Sequence, residues 1–434
     1  MRRPAAIAAL LSLAACQHYE AARLPESAAL APAAPAVAPL AIDDVVRLAL
    51  ENNPDLRAAR ARRGIADAQL LASGILPNPT FAGAFLPLVS GAGAVPAWSA
   101  GLSQDLKALI TYRSRRRAAR DAAGQAAADL LWQEWQVAGQ ARQLAVDLIG
   151  TRRQQPVAAE AYAILRQRVA ATDRALATGD TTLIVAAPTR AAMQSARTNL
   201  QTIDQRELQL HHQLCALLGL APDAPITLVR EASLPPFDPA AVRAGLSTLP
   251  QRRPDLLALR LGYAAQEEAV RQAILAQFPD LVLGLSRTSD SSKVVNVGPE
   301  ATIGLPLFDR NQGNIAITRA TRAQLRSEYA ARLATTAGEV GAALAEMTQL
   351  GEQLAQARRD LPEARIAAQR AEAARSVSAI DEVAFVDLIA TRFTKEQEVM
   401  ALELALQDRQ VAVQTLIGAG LPAVETLPIE QAVR

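Results

Sequence analysis

Two cysteines, three histidines and four methionines in 434 residues leave this chain poorly supplied with metal ligands and nucleophiles. Three histidines and four methionines are too few for a relay of soft-metal sites. With aromatics at 3% and a net charge of +2, there are few stacking platforms and no general attraction for nucleic acid. No Gly-rich phosphate loop, nucleophile elbow or zinc-spaced Cys/His cluster can be found. His211 and His212 are adjacent on a helical stretch and point about 100° apart, a poor arrangement for holding one ion. These absences speak against an enzyme, a cofactor or a resident metal. Half of the residues are hydrophobic, but much of that is alanine. Beyond the N-terminus no apolar run is long enough for a transmembrane helix. If the chain crosses a membrane, strands must do it.

The N-terminus is one exception to this plainness. Arg2 and Arg3 precede an apolar run from Ala5 to Ala15, the layout of a secretory signal peptide covering residues 1–15. It ends in Leu13-Ala14-Ala15-Cys16, which resembles the lipobox of bacterial lipoproteins. That resemblance makes Cys16 the expected lipidation site (diacylglyceryl and palmitate), and Gln17 favours the outer membrane over the inner. Residues 16–40, with Pro25, Pro32, Pro35 and Pro39, read as an extended tether. With Cys16 acylated, Cys215 has no disulfide partner and is expected to be a small core residue.

The main signal is repetition. Pro54-Asp55-Leu56 with Arg60 recurs about 200 residues later as Pro254-Asp255-Leu256 with Arg260. Each copy runs to a proline (Pro77, Pro279), turns strand-like, returns to a long Ala/Arg/Gln helix and closes on Leu217-Leu218-Gly219-Leu220 or Leu416-Ile417-Gly418-Ala419. Two structural repeats follow, 41–228 and 229–434. This is no solenoid, whose units are roughly 20–50 residues.

After Thr111, the residues Ala119, Ala123, Ala126, Leu130, Val137, Ala141, Leu144 and Leu148 form a narrow apolar seam, as in a coiled coil. A continuous helix to Thr178 would be on the order of 100 Å long. A second copy is expected from Asn314 to Ser376, with kinks or register changes at Pro156 and Pro362. Between helices, period-two alternation predicts strands over Thr80–Leu88, Trp98–Ser103, Leu281–Ser286 and Glu300–Leu307. Loops at Ser90–Ala94 and Ser289–Asn296 pair them into two hairpins. One apolar face and one small or polar face suit lipid on one side and water on the other. Four strands cannot close a transmembrane barrel, and open edges are forbidden in lipid. Three chains would supply twelve strands, so spanning implies a homotrimer.

Together these features resemble the TolC family of outer-membrane efflux channels, over about Ile42 to Leu421. The matching phrases are Arg253-Pro254-Asp255-Leu256, Phe278-Pro279-Asp280-Leu281 and Gly304-Leu305-Pro306-Leu307-Phe308. The run Pro306–Ile315 is similar to the CzcC-like heavy-metal branch. The resemblance implies a mainly α protein with a small β part, built from a duplicated helix–β-hairpin–helix repeat. It implies a trimeric twelve-stranded transmembrane β-barrel continued by a long α-helical periplasmic tunnel. The implied role is passive: the outer-membrane duct of a tripartite pump, with a periplasmic adaptor and an inner-membrane transporter of the RND type as partners, exporting heavy-metal cations. Drug or small-molecule efflux by the same kind of channel is an alternative. A lipid-tethered periplasmic coiled-coil adaptor is the rival from another class. The narrow end would lie at the turns Thr178–Thr182 and Val377–Glu382, where Asp180, Asp381, Glu382 and Asp387 are the pore-constriction candidates. Helix-capping acids are the competing explanation for them. Family members often carry aspartate before an Ala-x-Arg phrase, and here Ile389 takes that place. Arg113, Arg115, Arg116, Arg117 and Arg120 make a basic run just beyond the strands, facing lipid headgroups, the lumen or bulk solvent. Asp309 or Asn311 is expected to cap the helix that follows the last strand, with Gly313 easing the turn.

Overall fold

The computed structural model describes residues 19–27, 30–32 and 39–421. The expected signal peptide, Cys16 and part of the expected tether lie outside these residues. The chain begins with α1 (Ile42–Asn52) and α2 (Pro54–Ser73), followed by strands β1 (Thr80–Leu86) and β2 (Ala97–Asp105). The long α3 (Leu106–Thr178) and α4 (Leu183–Leu217) complete the first half. Short α5 (Pro239–Gly245), a 3-10 turn and α6 (Leu249–Arg252) then lead to α7 (Pro254–Leu275). Strands β3 (Leu281–Ser289) and β4 (Val295–Ile303) are followed by α8 (Gln312–Ser376) and α9 (Glu382–Ile417).

Helix α3 is a single helix of 73 residues and α8 one of 65, and neither is interrupted at its proline (Pro156, Pro362). Residues of the alanine seam are buried or half-buried on α3. Between Ala138 and Thr151, however, α3 is buried on nearly every side, because α1, α4 and α9 all pack on it there. Side by side, the helices run α2–α3–α7–α8 near the strands and α4–α3–α9–α8 at the far end. The main core joins α1, the middle of α3 and the end of α4 through Val45, Ala49, Ala145, Leu148, Leu214 and Cys215. Cys215 is thus a core residue, as its sequence context indicated.

The two copies start and stop by the same devices. Each α2/α7 helix opens on a proline, whose missing N–H is one the first turn cannot use. Gly219 and Gly418, just past the last helix of each half, both take the left-handed conformation (φ 67° and 73°). Asn53 caps α2, accepting from the Leu56 amide, and its Nδ2 donates to the Leu217 carbonyl at 3.0 Å. At the matching place Arg253 makes no cap but reaches the Leu416 carbonyl at 3.4 Å. Different side chains hold the same helix end.

All four strands form one antiparallel sheet in the order β1-β2-β3-β4, so each hairpin lies beside the other. The last strand sits earlier than the sequence alternation placed it, at Val295–Ile303, and Gly304–Leu307 lies beyond it. Asp290 explains the shift: its carboxylate accepts from the Ser292 and Val294 amides and tightens the β3–β4 turn. The expected cap of α8 also differs. Asn311 occupies the N-cap with a positive φ of 60° and donates from Nδ2 to the Ala273 carbonyl, while Asp309 accepts from the Asn311 amide. Gly313 lies inside the first turn of the helix.

Candidate pore-lining faces and the helical tips

The register gives the sheet two unlike faces. Across one run the rows Phe81–Leu102–Leu285–Pro299 and Phe85–Trp98–Ser289–Val295, with Leu283, Val297 and Ile303. The other carries Thr80–Ser103–Gly284–Glu300, Ala82–Gly101–Ser286–Gly298 and Ala84–Ser99–Thr288–Asn296. Phe81, Phe85, Leu102, Leu285, Val297 and Ile303 all stand exposed on the apolar face. The one charge there, Arg287, lays its guanidinium over the Trp98 ring at 5.6 Å. Large apolar side chains on one surface and small or hydroxyl groups on the other cannot both face water cheaply. Among the described residues both outer strands, β1 and β4, keep an unpaired edge.

Below the sheet, α3 carries a second two-sided pattern. Gln133, Gln136, Gln140 and Gln143 recur at spacings of three and four and so share one flank. Gln136 and Gln140 are exposed, and with Gln143, Glu339, Glu346 and Arg409 they line a concavity of about 800 Å³. Asp147 continues this flank and meets Asp408 of α9. Burial, reinforced by the Asp147 charge, pushes Asp408 up to about 7; burial likewise raises Asp147, against the pull of Arg206 at 3.7 Å. Two carboxyls so placed share a proton near neutrality.

Both far turns fall where the sequence put them. The first ends α3 at Thr178, uses Gly179 at φ 80° and restarts at Leu183. The second has Ser378 in the same left-handed role, φ 55°, and restarts at Glu382. The four candidate acids separate into distinct roles. Asp381 caps α9 by accepting from the Ala384 amide at 2.9 Å. Glu382 pairs with Arg375, leaving its other oxygen buried without a partner. Asp180 accepts from the Thr178 hydroxyl at 2.5 Å and is exposed. Asp387 is exposed with no hydrogen bond or ion pair among the described residues. Ile389 is fully buried with Phe385, Val386 and Phe393, so it offers nothing to a channel.

The sequence reading missed the side chains that lock the tips. Arg168 and Arg375 each place a guanidinium over the Phe385 ring, at 5.8 and 5.0 Å. Arg190 bridges α4 to Asp173 of α3 at 2.7 Å, and Arg392 bridges α9 to Glu160 of α3 at 3.0 Å. No spacing rule within one helix reveals pairs formed between helices. The glutamine flank went unread as well, although its spacing of three and four along α3 marks it.

A double-faced sheet on a bundle of very long helices is an arrangement that known proteins share. Residues 245–419 match the family model described as outer membrane efflux protein. The match lies in the second half of the chain. Among curated proteins it is similar to the cation efflux system protein CusC of Escherichia coli strain K12, 26% identical over 276 residues, or 61% of this chain and 60% of CusC. The chain thus spans about three fifths of the curated relatives it matches. Its fold is that of solved channels. A CusC crystal structure superposes with a TM-score of 0.69 at 23% identity, covering 87% of this chain and 92% of that one. The Campylobacter jejuni CmeC outer membrane channel does so with 0.74 at 18%, covering 88% and 86%. The glutamine flank and the tip acids are features of this chain that the fold match leaves unassigned.

Proposed function

We propose that this protein is the outer-membrane duct of a tripartite efflux pump, with repeats 41–228 and 229–434 building one protomer of a homotrimer. The observation that carries the reading is the sheet: two unlike faces and two open edges. Lipid tolerates no unpaired strand edge, because each bare N–H or C=O there costs several kcal/mol. Three sheets joined edge to edge satisfy every strand and make a twelve-stranded barrel, with Phe81, Leu102 and Leu285 toward lipid and Ser99, Ser103 and Ser286 toward water. The helices continue it as a tunnel lined by the glutamine flank of α3. Cys16, as a lipidated N-terminus, would add a second hold on the outer membrane.

The tunnel's far end narrows where the turns 178–182 and 377–382 converge. Three-fold symmetry multiplies Asp180 and Asp387 into rings of acid, attractive to cations. Asp381 and Glu382 serve helix structure first, as a cap and as a partner of Arg375. A periplasmic adaptor and an inner-membrane pump of the RND type would dock there and open the tip. Heavy-metal cations are the favoured cargo, supported by the similarity to a cation efflux protein and by those acids. Small organic compounds are the second reading, since the pump selects cargo upstream.

Planar-bilayer recording of the detergent-extracted protein, with its oligomeric mass beside it, tests this. Discrete conductance from a trimer is expected; a monomer that stays soluble without detergent and never conducts overturns it.

A further inference from the structure

One charged face remains outside this account. On α3, Arg113, Arg116, Arg117 and Arg120 are spaced to share one flank, and all four are exposed. Arg115, in the same run, turns elsewhere: it is half-buried and donates to the Ala108 carbonyl. Among the described residues Arg113, Arg116 and Arg120 form no ion pair, and Arg117 reaches only Glu268, at 4.0 Å. With Tyr112 the four line a concavity of about 260 Å³. Next to it, Arg260 and Arg271 of α7 add positive charge against Asp121, Glu267 and Glu268.

The position of this flank matters as much as its charge. At about 3.6 residues per turn it comes out on the side of α3 opposite the glutamine flank, and so faces away from the proposed lumen. Exposed apolar side chains continue past the strand ends: Ile75, Leu76, Leu109, Phe278, Leu305 and Leu307, with Ile110 67% and Phe308 93% exposed. Along α3 the sequence then passes from Ile110 through Tyr112 to the arginines. At ~1.5 Å per residue, Arg113 stands about 5 Å and Arg120 about 15 Å beyond Ile110. Apolar surface, then an aromatic, then long cations is the order in which a membrane presents hydrocarbon, interface and phosphate. Arginine suits that last layer, because its planar fork binds phosphate oxygens in pairs.

We infer that the Arg113/Arg116/Arg117/Arg120 flank is a phosphate-binding collar that seats the protein on the anionic phospholipid headgroups of the membrane's periplasmic surface. The inference rests on the outer-membrane reading above and adds a lipid specificity to it. Each arginine held near an anionic surface strengthens attachment about fivefold.

The test uses the full-length protein in detergent, supplied with phosphatidylglycerol, phosphatidylcholine or inorganic phosphate. Lipid retained is counted by native mass spectrometry and thermal stability is followed in parallel. Wild type should retain phosphatidylglycerol over phosphatidylcholine by at least about fivefold and gain stability only from the former. The combined Arg113→Gln, Arg116→Gln, Arg117→Gln, Arg120→Gln variant should lose that preference, and the matching fourfold Arg→Lys variant should keep most of it. If the glutamine variant does not fold, the pair Arg113→Gln and Arg116→Gln serves, with a partial loss expected. An unchanged preference in the glutamine variant overturns the collar, and so does equal stabilisation by inorganic phosphate, which would mark a soluble-anion site. Conductance separates the two readings. A wild type that never conducts sinks the channel, whereas a conducting glutamine variant without lipid preference supports the collar.

Discussion

Helices α4 and α9 occupy the same place in the two copies and live in different surroundings. Helix α9 lies between two neighbours. Glu403 takes Arg153 from α3 and Arg358 from α8, Arg392 reaches Glu160 of α3, and Arg365 of α8 reaches Glu396. Helix α4 is held mainly by α3, through Arg152–Glu207 and Arg190–Asp173, touches α9 through Asn199 and Gln397, and leaves Leu183, Ile184 and Leu208 exposed. The sheet repeats the lesson, since β2 and β3 are paired on both sides while β1 and β4 are not. A duplicated sequence therefore does not make duplicated environments. The inner members are flanked on both sides, and the outer members carry the surface that is left uncovered.

The strongest way to break this comparison is at the two residues that precede the repeated prolines. Arg253 and Asp255 are 2% and 6% exposed and joined by two hydrogen bonds of 2.9 and 2.7 Å, with the guanidinium stacked on Trp132. Arg253→Ala leaves the buried Asp255 carboxylate no cation nearer than Arg332 at 3.9 Å and should cost about 3–5 kcal/mol in chemical denaturation. At the first-copy position, Asn53→Ala should cost only about 1–2 kcal/mol, as a lost cap and one lost bond. Equal costs would contradict the asymmetry.

Next come two glycines at matching places. Any side chain at Gly139 of α3 would run into Thr415 of α9, whereas Gly338 of α8 has open space around it. Gly139→Leu should destabilise the protomer by about 1–3 kcal/mol. Gly338→Leu should leave it unchanged or more stable by up to about 1 kcal/mol, and any cost should appear in trimer assembly instead. Unfolding and oligomer mass, measured on both variants, sharpen which faces belong to partners.

A smaller effect is set by pH. The folded protein holds the Asp408 proton more tightly than the usual 3.8, up to about 7. That contribution is complete below about 4, declines as pH rises and is gone above about 7. Asp408→Asn should therefore raise stability at pH 8 by about 1 kcal/mol after allowance for partial solvation, with little change at pH 4. A variant that shifts stability equally at both values would remove the shared proton. Smallest in stability is the exposed tip acid Asp387. Asp387→Asn should leave unfolding within about 0.5 kcal/mol of wild type and lower cation preference in reversal-potential measurements. Asp381→Ala should instead cost about 1 kcal/mol as a lost cap. An unchanged reversal potential for Asp387→Asn would take that residue out of the gate.

Much of the architecture was legible because its signals are local and periodic. The matching prolines, the Leu-Gly closing phrases, the uninterrupted run from Thr111 to Thr178 and the far turns all lie where sequence placed them. The final strand was misplaced because Ala301, Ile303, Leu305 and Leu307 continue the alternation past the place where pairing stops. The Asp290 turn, and pairing with β3, set that limit. Capping of α8 was misread because Asn311 finds a better partner in Ala273, a residue remote in sequence. Of the four candidate acids, sequence could name the turns that carry them but not separate Asp381, used as a cap, from Asp387, left free.

Sequence by itself determined the duplicated helix–hairpin–helix order, the unlike faces of the strands and the glutamine and arginine flanks of α3, because each depends only on spacing along one element. Only the tertiary structure decided which copy lies inside and which at the edge, that Asp147 and Asp408 meet, and that Arg253 is buried against Asp255. Those outcomes depend on which helices come to lie side by side, and burial, not residue type, then sets what each charge costs and where its proton sits.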